Sequence, residues 1–119
     1  MQSYKQLVFW RKSIILIKEI YKLTEEFPKT EIYNLISQIK RSAVSIALNI
    51  AEGYGRKNKK EKAQFFNISY ASALELEAQL EIARELSFIN SRNFLEVNNL
   101  LQEICKMLYV YREKIYKSI

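Results

Sequence analysis

Residues 38–56 read QIKRSAVSIALNIAEGYGR and carry the strongest structural signal of the chain. Apolar side chains recur in it every three or four residues, which is typical of an amphipathic helix. The pattern stops at Gly53 and Gly55, and one of them is the expected C-terminal cap because glycine tolerates a left-handed backbone. Polar residues interrupt the same stretch, and a polar group beside a core is costly unless it is paired. The stretch therefore predicts a helix that carries either a structural polar network or a binding surface.

Similar spacing on both sides of this stretch predicts three further long helices. The expected bounds of the four helices are about 3–27, 30–53, 59–87 and 91–117. Pro28 ends the first helix, and Thr30 and Ser91 are the expected N-caps of the second and the fourth. Short loops make neighbouring helices antiparallel. We therefore expect an all-α, antiparallel up-down-up-down four-helix bundle, with residues 1–119 forming one domain.

The first predicted helix differs from the others in having two apolar rows. The row expected to face the core consists of Leu7, Trp10, Ile14, Ile17, Tyr21 and Thr24. The second row consists of Phe9, Ser13, Leu16, Ile20, Leu23 and Phe27. A helix in a monomeric bundle keeps one face in water, so the extra row indicates either contact with another subunit or a broad core-facing surface.

Composition excludes the common catalytic and metal-binding classes. The chain has no His and no Asp, which removes His-dependent triads, HExxH zinc sites and EF-hand loops. Cys105 is the single cysteine, and its apolar helical surroundings predict a buried structural thiol. We predict no catalytic residue, no metal site and no cofactor, and expect that the protein is not an enzyme.

The expected location is cytoplasmic, without a membrane partner. The N-terminal residues MQSYKQLVFWRKS are charged and show no features of a secretory signal. The longest strongly apolar runs are about four residues, as at 14–17, whereas a membrane span needs about 20.

The charge distribution indicates a polyanionic partner. The net charge is +6, and residues 1–60 hold 12 Lys/Arg against 5 Glu, whereas residues 61–119 hold 7 against 8. A basic patch favours binding of RNA or DNA, with a solubilising loop as the alternative. The predicted nucleic-acid-binding residues are Lys40, Arg41, Arg56, Lys57, Lys59, Lys60 and Lys62. Among these, Arg56 is the expected bidentate phosphate contact, and the adjacent Tyr54 is a candidate for stacking on a base.

A polar stripe follows one face of the second predicted helix and consists of Arg41, Ser45, Asn49, Glu52 and Arg56. Ser45, Asn49 and Glu52 are predicted to form a structural polar network, either within the bundle or between subunits. Glu52 is expected to pair with Arg56, and Glu75 or Gln79 of a facing helix to reach Arg41. A surface for a ligand or an RNA backbone is the alternative interpretation.

Three segments, WRKSIILIKEIYKLTEEFP, QIKRSAVSIALNIAEGYGR and EKAQFFNISYASALELEAQLEIA, resemble a known family. They are similar to the four-helix-bundle proteins encoded in intervening sequences of bacterial 23S ribosomal RNA genes, also called the S23 ribosomal protein family. The accessory variability determinant of diversity-generating retroelements looks like a relative. The resemblance implies a ring-like homopentamer with a basic surface for nucleic acid and no enzymatic activity. The family motif falls on Arg41, Ser42, Asn49, Glu52, Gly53 and Arg56, without an established role for these residues.

Two functions remain open from the sequence. The first is a nonenzymatic, oligomeric protein that binds RNA or another nucleic acid through a basic surface. The alternative is an oligomeric protein–protein scaffold or accessory protein, for example for a reverse transcriptase, as the retroelement relative implies.

Overall fold

The computed structural model describes residues 3–119, and within them the chain forms four long α-helices and no strand. The helices are α1 (Val8–Thr24), α2 (Leu35–Tyr54), α3 (Lys59–Glu85) and α4 (Ser91–Lys117). Each helix packs against the next, and α4 returns to α1, which closes an antiparallel up-down-up-down bundle of 45 × 24 × 22 Å. The predicted all-α bundle is confirmed. Residues 1–2 of the predicted domain lie outside this description.

The core consists of apolar rows from all four helices. Its fully buried side chains include Ile39, Ile46, Ile50, Phe66, Leu76, Leu80, Leu101, Ile104 and Leu108. Burial of such rows stabilises helices of this length, which would be marginal alone in water. None of the helices in the described part of the chain has a stretch that is long and apolar enough to cross a membrane.

In α1 the prediction of the core-facing row was wrong. The second row faces the core, with Leu16 and Ile20 fully buried, whereas Trp10 and Ile17 are only half-buried and Tyr21 is 44% exposed. Both rows are apolar and have the same period, so the sequence does not distinguish them. Packing of α1 between α2 and α4 determines which of the two rows is buried.

The ends of α1 also differ from the predicted bounds of 3–27. A short 3-10 turn at Tyr4–Gln6 precedes the helix, with the Ser3 side chain accepting a hydrogen bond from the Lys5 N–H, and extended Leu7 separates the two. At the other end the chain leaves the helix after Thr24. Phe27 is thereby buried, with its ring centroid 5.6 Å from that of Phe88.

The predicted N-caps of α2 and α4 were wrong as well. Thr30 lies inside a 3-10 turn, Lys29–Glu31, in which the Glu31 N–H bonds to the Pro28 carbonyl at 2.9 Å, and α2 begins only at Leu35. Ser91 is already helical, because extended Asn90 accepts the Asn93 N–H at 2.8 Å.

The two glycines at the end of α2 have different roles. Gly55 is the C-terminal cap, as predicted, but the expected left-handed backbone was wrong, because its φ is −77°. Gly53 lies inside α2, and a Cβ there would come within 2.8 Å of the buried Phe66 ring. Gly53 therefore permits close approach of α2 and α3.

Candidate nucleic-acid interface

Most of the positive charge lies at one end of the bundle, where α1 and α3 begin and α2 and α4 end. We call this the basic end and define it as residues 3–12, 52–66 and 106–119. It holds 12 Lys/Arg against 3 Glu, while the remaining described residues hold 7 against 10. The hydrogen bond from Lys59 Nζ to the Ser118 carbonyl, at 3.0 Å, shows how closely α3 and α4 meet there. The last turns of α4 thus add four Lys/Arg residues to those at residues 56–62, where α2 connects to α3.

Arg56 is held against the bundle by two contacts. Its Nη2 lies 3.0 Å from Glu52 Oε2, and its guanidinium lies 4.8 Å from the centre of the Phe65 ring. The ion pair is exposed, so it contributes little to stability. Exchange of the Glu52 carboxylate for a phosphate would therefore cost little, and Arg56 remains available to an anion.

Lys59 and Lys62 are anchored within the bundle. Lys59 bonds to the Ser118 carbonyl, and Lys62 Nζ donates to the Tyr54 carbonyl at 3.1 Å. Tyr54 is the last residue of α2, so Lys62 satisfies a carbonyl that the helix leaves without a partner. Desolvation by burial lowers the pKa of Lys62. Its ammonium also lies 5.2 Å from the Tyr54 ring, which is half-buried against the core rather than free to stack on a base.

Lys57, between α2 and α3, and Lys60, in the first turn of α3, have no internal contacts in the described part of the bundle. Both side chains are exposed, and neither makes a hydrogen bond or ion pair with any residue in the range 3–119. The loop is ordered by Asn58, whose side chain accepts the Glu61 N–H at 3.1 Å and caps α3. The ammonium groups of Lys57 and Lys60, on either side of this cap, therefore lie free at the outer surface of the basic end.

The structure does not bring Lys40 and Arg41 to the basic end. Arg41 lies about 20 Å from the end of α2, at 1.5 Å per residue. Lys40 Nζ lies 4.5 Å from the centre of the Tyr21 ring, and Arg41 Nη2 bonds to Ser37 Oγ at 3.1 Å. Both line a groove of about 750 Å³ between α1 and α2. The predicted nucleic-acid-binding set is thus divided between two surfaces.

The polar residues of the central stretch meet α3 in what we call the α2–α3 polar network. It consists of Ser42, Ser45, Asn49, Ser72, Glu75 and Gln79. The Ser45 and Ser72 hydroxyls lie 2.8 Å apart, and Asn49 Nδ2 donates to the Ser45 carbonyl and hydroxyl at 2.9 and 3.0 Å.

Glu75 is the acceptor of the network, and its partners differ from those predicted. Its Oε1 receives hydrogen bonds from Ser42 at 3.0 Å and Gln79 at 3.2 Å, whereas Arg41 points to Ser37. Glu52 pairs with Arg56, outside the network. The sequence reasoning missed Ser42 and Ser72 because a serine on a helix gives no signal until its neighbours are known.

A second feature missed from the sequence is a group of aromatic residues around Arg112. The rings of Tyr70, Tyr109 and Tyr116 surround its guanidinium. The signal was present in α4, since Tyr109, Arg112 and Tyr116 follow the i, i+3, i+7 spacing of one helical face.

Cys105 is buried, as predicted from its apolar surroundings. Desolvation, with a smaller contribution from the Glu77 charge, raises the pKa of its thiol to about 11. A thiol with this pKa is protonated near neutral pH and is a poor nucleophile. No group of three potential metal-ligand residues was found in residues 3–119.

Comparison with known proteins agrees with this architecture. The family model of the 23S rRNA-intervening sequence protein matches residues 5–110. The chain belongs to this family. The solved structure of a protein with unknown function from the S23 ribosomal protein family of Bacteroides thetaiotaomicron VPI-5482 is 26% identical, with a TM-score of 0.82, and the match covers 89% of this chain and 96% of that one. No curated protein matches the chain. The predicted family is confirmed, and the relation to the retroelement protein stays a prediction.

Proposed function

We propose that this member of the 23S rRNA-intervening sequence protein family is a nonenzymatic, oligomeric protein that binds RNA through its basic end. The observation that carries this proposal is the concentration of 12 Lys/Arg against 3 Glu at one end of the bundle. A focused positive field attracts polyanions and speeds their association. The family name refers to an intervening sequence of 23S rRNA, which makes RNA the first polyanion to test.

The contacts of the individual cations indicate that some of them support the bundle and that others are available to bind RNA. Lys59 and Lys62 hold backbone carbonyls of α4 and α2, so they support the architecture. Lys57 and Lys60 are exposed and have no bonded partner among the described residues, so they are our candidates for direct phosphate contacts. Arg56 adds a planar guanidinium that can hold a phosphate through two hydrogen bonds once it leaves Glu52.

The nonenzymatic part of the proposal rests on the side-chain chemistry. General acid–base catalysis near neutral pH needs a group that titrates there, and His is the usual one. The chain has no His, and the pKa of its only thiol is raised to about 11 by burial. An activity assay that detected turnover and lost it in Glu52→Gln would contradict this part of the proposal.

The oligomeric part rests on the face shared by α1 and α2. The outer apolar row of α1 remains partly exposed, with Tyr21 44% exposed, and Leu48 on α2 is 60% exposed. Such apolar surface on neighbouring helices is typical of a protein–protein contact. Self-association, as a pentamer by the family resemblance, would cover it. The mass in solution would then be near five times 14.1 kDa.

The test of the RNA proposal is binding of the purified protein to a structured RNA over a salt series, with the oligomeric mass recorded on the same sample. We expect log affinity to fall linearly with log salt, because each phosphate contact releases counterions. The same series with a DNA duplex tests the preference for RNA. Absence of RNA binding at low salt would overturn the proposal.

A protein–protein scaffold is the second candidate, and the groove between α1 and α2 favours it. Tyr33 is 97% exposed and Ile32 46% exposed at the mouth of this groove, beside Lys40 and Arg41. Exposed aromatic and apolar residues with basic neighbours suit a protein partner, such as a reverse transcriptase in the retroelement relatives. Binding of such a partner should change little with salt, and RNA should not compete with it.

A further inference from the structure

Within the basic end, the Arg112 guanidinium is surrounded by three tyrosine rings. Its central carbon lies 4.4 Å from the ring centre of Tyr70, 5.4 Å from that of Tyr109 and 6.0 Å from that of Tyr116. Tyr70 comes from α3 and the other residues from α4. We call Tyr70, Tyr109, Arg112 and Tyr116 the tyrosine–arginine cluster. Cation–π contacts of this length hold the two helices and the rings in fixed relation.

Further contacts keep Arg112 in place. Its Nη1 donates to Asn67 Oδ1 at 3.0 Å, its Nη2 lies 3.8 Å from Glu113 Oε1, and the side chain is only 16% exposed. Arg112 is therefore a fixed charge beneath the rings rather than a mobile surface cation.

The rings themselves remain accessible. Tyr109 is 48% exposed and Tyr116 is 44% exposed, while Tyr70 is half-buried with its ring centre 6.0 Å from that of Tyr109. Tyr109 and Tyr116 are seven residues apart on one face of α4, which is about 10 Å along the helix axis. Two exposed aromatic surfaces thus lie in line with the helix, above a positive charge.

This line of rings runs along the α4 part of the basic end towards the first turn of α3. Tyr116 precedes Lys117 and Ser118, and the Ser118 carbonyl accepts the hydrogen bond from Lys59. Lys60 follows Lys59 in the first turn of α3 and has no bonded partner among the described residues. Aromatic surface and free cations therefore occur side by side, as single-stranded nucleic acid requires for its bases and its phosphates.

We propose that the tyrosine–arginine cluster stacks on unpaired bases, so that the RNA bound at the basic end is single-stranded where it crosses α4. This inference rests on the proposed RNA-binding function and specifies its ligand. Bases in a duplex are stacked on one another and present no free face, whereas unpaired bases stack on Tyr. Cations alone would bind either form of RNA. The exposed rings add a preference for the unpaired form.

The test compares two double variants that differ only in ring stacking. Tyr109→Leu with Tyr116→Leu removes both ring faces but keeps apolar, helix-favouring side chains, and Tyr109→Phe with Tyr116→Phe keeps the rings and removes the hydroxyls. The probes are a fluorescent RNA strand of roughly 16 nucleotides without self-complementarity, and the same strand annealed to its complement. Fluorescence anisotropy gives the affinities, and circular dichroism gives the helix content of each variant.

We expect the Leu variant to bind the single strand at least tenfold more weakly, because each stacked base is worth roughly 5- to 150-fold in affinity. Its affinity for the duplex should change less than twofold, and the Phe variant should match the unmodified protein on both probes. If the double Leu variant loses helix content, the single variants Tyr109→Leu and Tyr116→Leu replace it, each with a smaller expected loss.

Four results would overturn the inference. Unchanged single-strand affinity in the Leu variant, or an equal loss on both probes, would exclude base stacking while leaving RNA binding intact. An equal loss in the Phe variant would assign the contact to the hydroxyls. Failure of the unmodified protein to bind either probe at low salt would instead overturn the proposed function together with the inference.

Discussion

The α2–α3 polar network and the loop of the basic end are adjacent in the chain but satisfy their polar groups in opposite ways. In the network, Glu75 accepts from two nearly buried side chains, Ser42 and Gln79, which are 5% and 6% exposed. In and just after the loop, Lys57 and Lys60 are exposed and have no bonded partner in residues 3–119. Paired polar groups near a core contribute to stability, whereas free surface charges contribute to binding. Substitutions in the α2–α3 polar network should therefore reduce stability, whereas substitutions of Lys57 and Lys60 should reduce binding.

The largest loss of stability is expected from Gly53→Ala, where α2 packs directly on Phe66 of α3. The new Cβ would lie 2.8 Å from the ring of Phe66, which is fully buried and cannot move away freely. Overpacking of this kind should exceed the gain in helix propensity and reduce the free energy of unfolding by about 2 kcal/mol. Urea denaturation at fixed protein concentration measures it.

Gly55→Ala is the matched control, because the chain already has a right-handed φ of −77° there and the nearest atoms lie 3.7 Å from the added Cβ. It should leave stability unchanged or raise it by about 0.5 kcal/mol. Equal losses of unfolding free energy in Gly53→Ala and Gly55→Ala would show that close packing against Phe66 does not cause the destabilisation at Gly53.

The next largest effect is expected from Glu75→Ala in the polar network. Removal of the carboxylate leaves Ser42 and Gln79 without their acceptor, which should cost about 1 kcal/mol of unfolding free energy. Glu85→Ala on the same helix is the control, because Glu85 is exposed like Glu75 but its side chain makes no hydrogen bond within residues 3–119, and the effect of this substitution should stay within about 0.5 kcal/mol. A loss in Glu85→Ala as large as that in Glu75→Ala would show that the network does not stabilise the interface.

A smaller and pH-dependent effect is expected at Glu19, a carboxylate that contrasts with Glu75. Its Oε2 is buried without a hydrogen-bond partner among residues 3–119, and desolvation, followed by repulsion from Glu96, raises its pKa against a smaller opposing effect of Lys22. Since folding favours the protonated form, the stability contributed by Glu19 falls as the pH rises from the unfolded-state pKa through the folded-state pKa.

Glu19→Gln should therefore stabilise the protein at pH 7 by up to about 0.5 kcal/mol and have no effect below the unfolded-state pKa, near pH 4. Urea denaturation at the two pH values measures the difference. A stabilisation that is equal at both would show that the charge of Glu19 is not the cause.

The smallest effect on stability, and a clear effect on binding, is expected from Lys57→Ser combined with Lys60→Ser. The unfolding free energy should change by less than about 0.5 kcal/mol, because neither side chain has an internal contact to lose. The slope of log affinity for single-stranded RNA against log salt should fall by about 1.4, or 0.7 for each phosphate contact.

Lys18→Ser combined with Lys22→Ser removes the same charge from α1, outside the basic end, and should leave that slope nearly unchanged. Equal changes in slope for the two double variants would assign RNA binding to net charge rather than to the basic end.

The interior of the bundle could be predicted well, but the surface only in part. The apolar rows of α2, α3 and α4 face the core as expected, because a continuous row at helical spacing has a single way to be buried. The two rows of α1 were assigned the wrong way round, since both satisfy that rule. The cap at Asn90 was missed because Ser91 has the same capping chemistry, and the choice depends on the path of the preceding loop. Thr30 was wrong because the chain first forms a 3-10 turn at Lys29–Glu31.

The candidate site shows the same limit. The basic loop could be located from its composition, but Lys40 and Arg41 were grouped with it although they lie about 20 Å away along α2. Conversely, Lys114 and Lys117 were not predicted to join it, because they are distant in the chain and come close only through the antiparallel packing of α3 and α4.

The helices, their order and the family follow from local properties of the chain, namely the hydrophobic period, the helix breakers and the motif residues. The contacts between helices do not follow from these local properties. They include the anchoring of some cations and the freedom of others, the packing of Gly53 against Phe66, and the three tyrosines around Arg112. These contacts depend on distances between residues far apart in sequence. Such distances are set by how the helices pack, and packing is a property of the whole bundle.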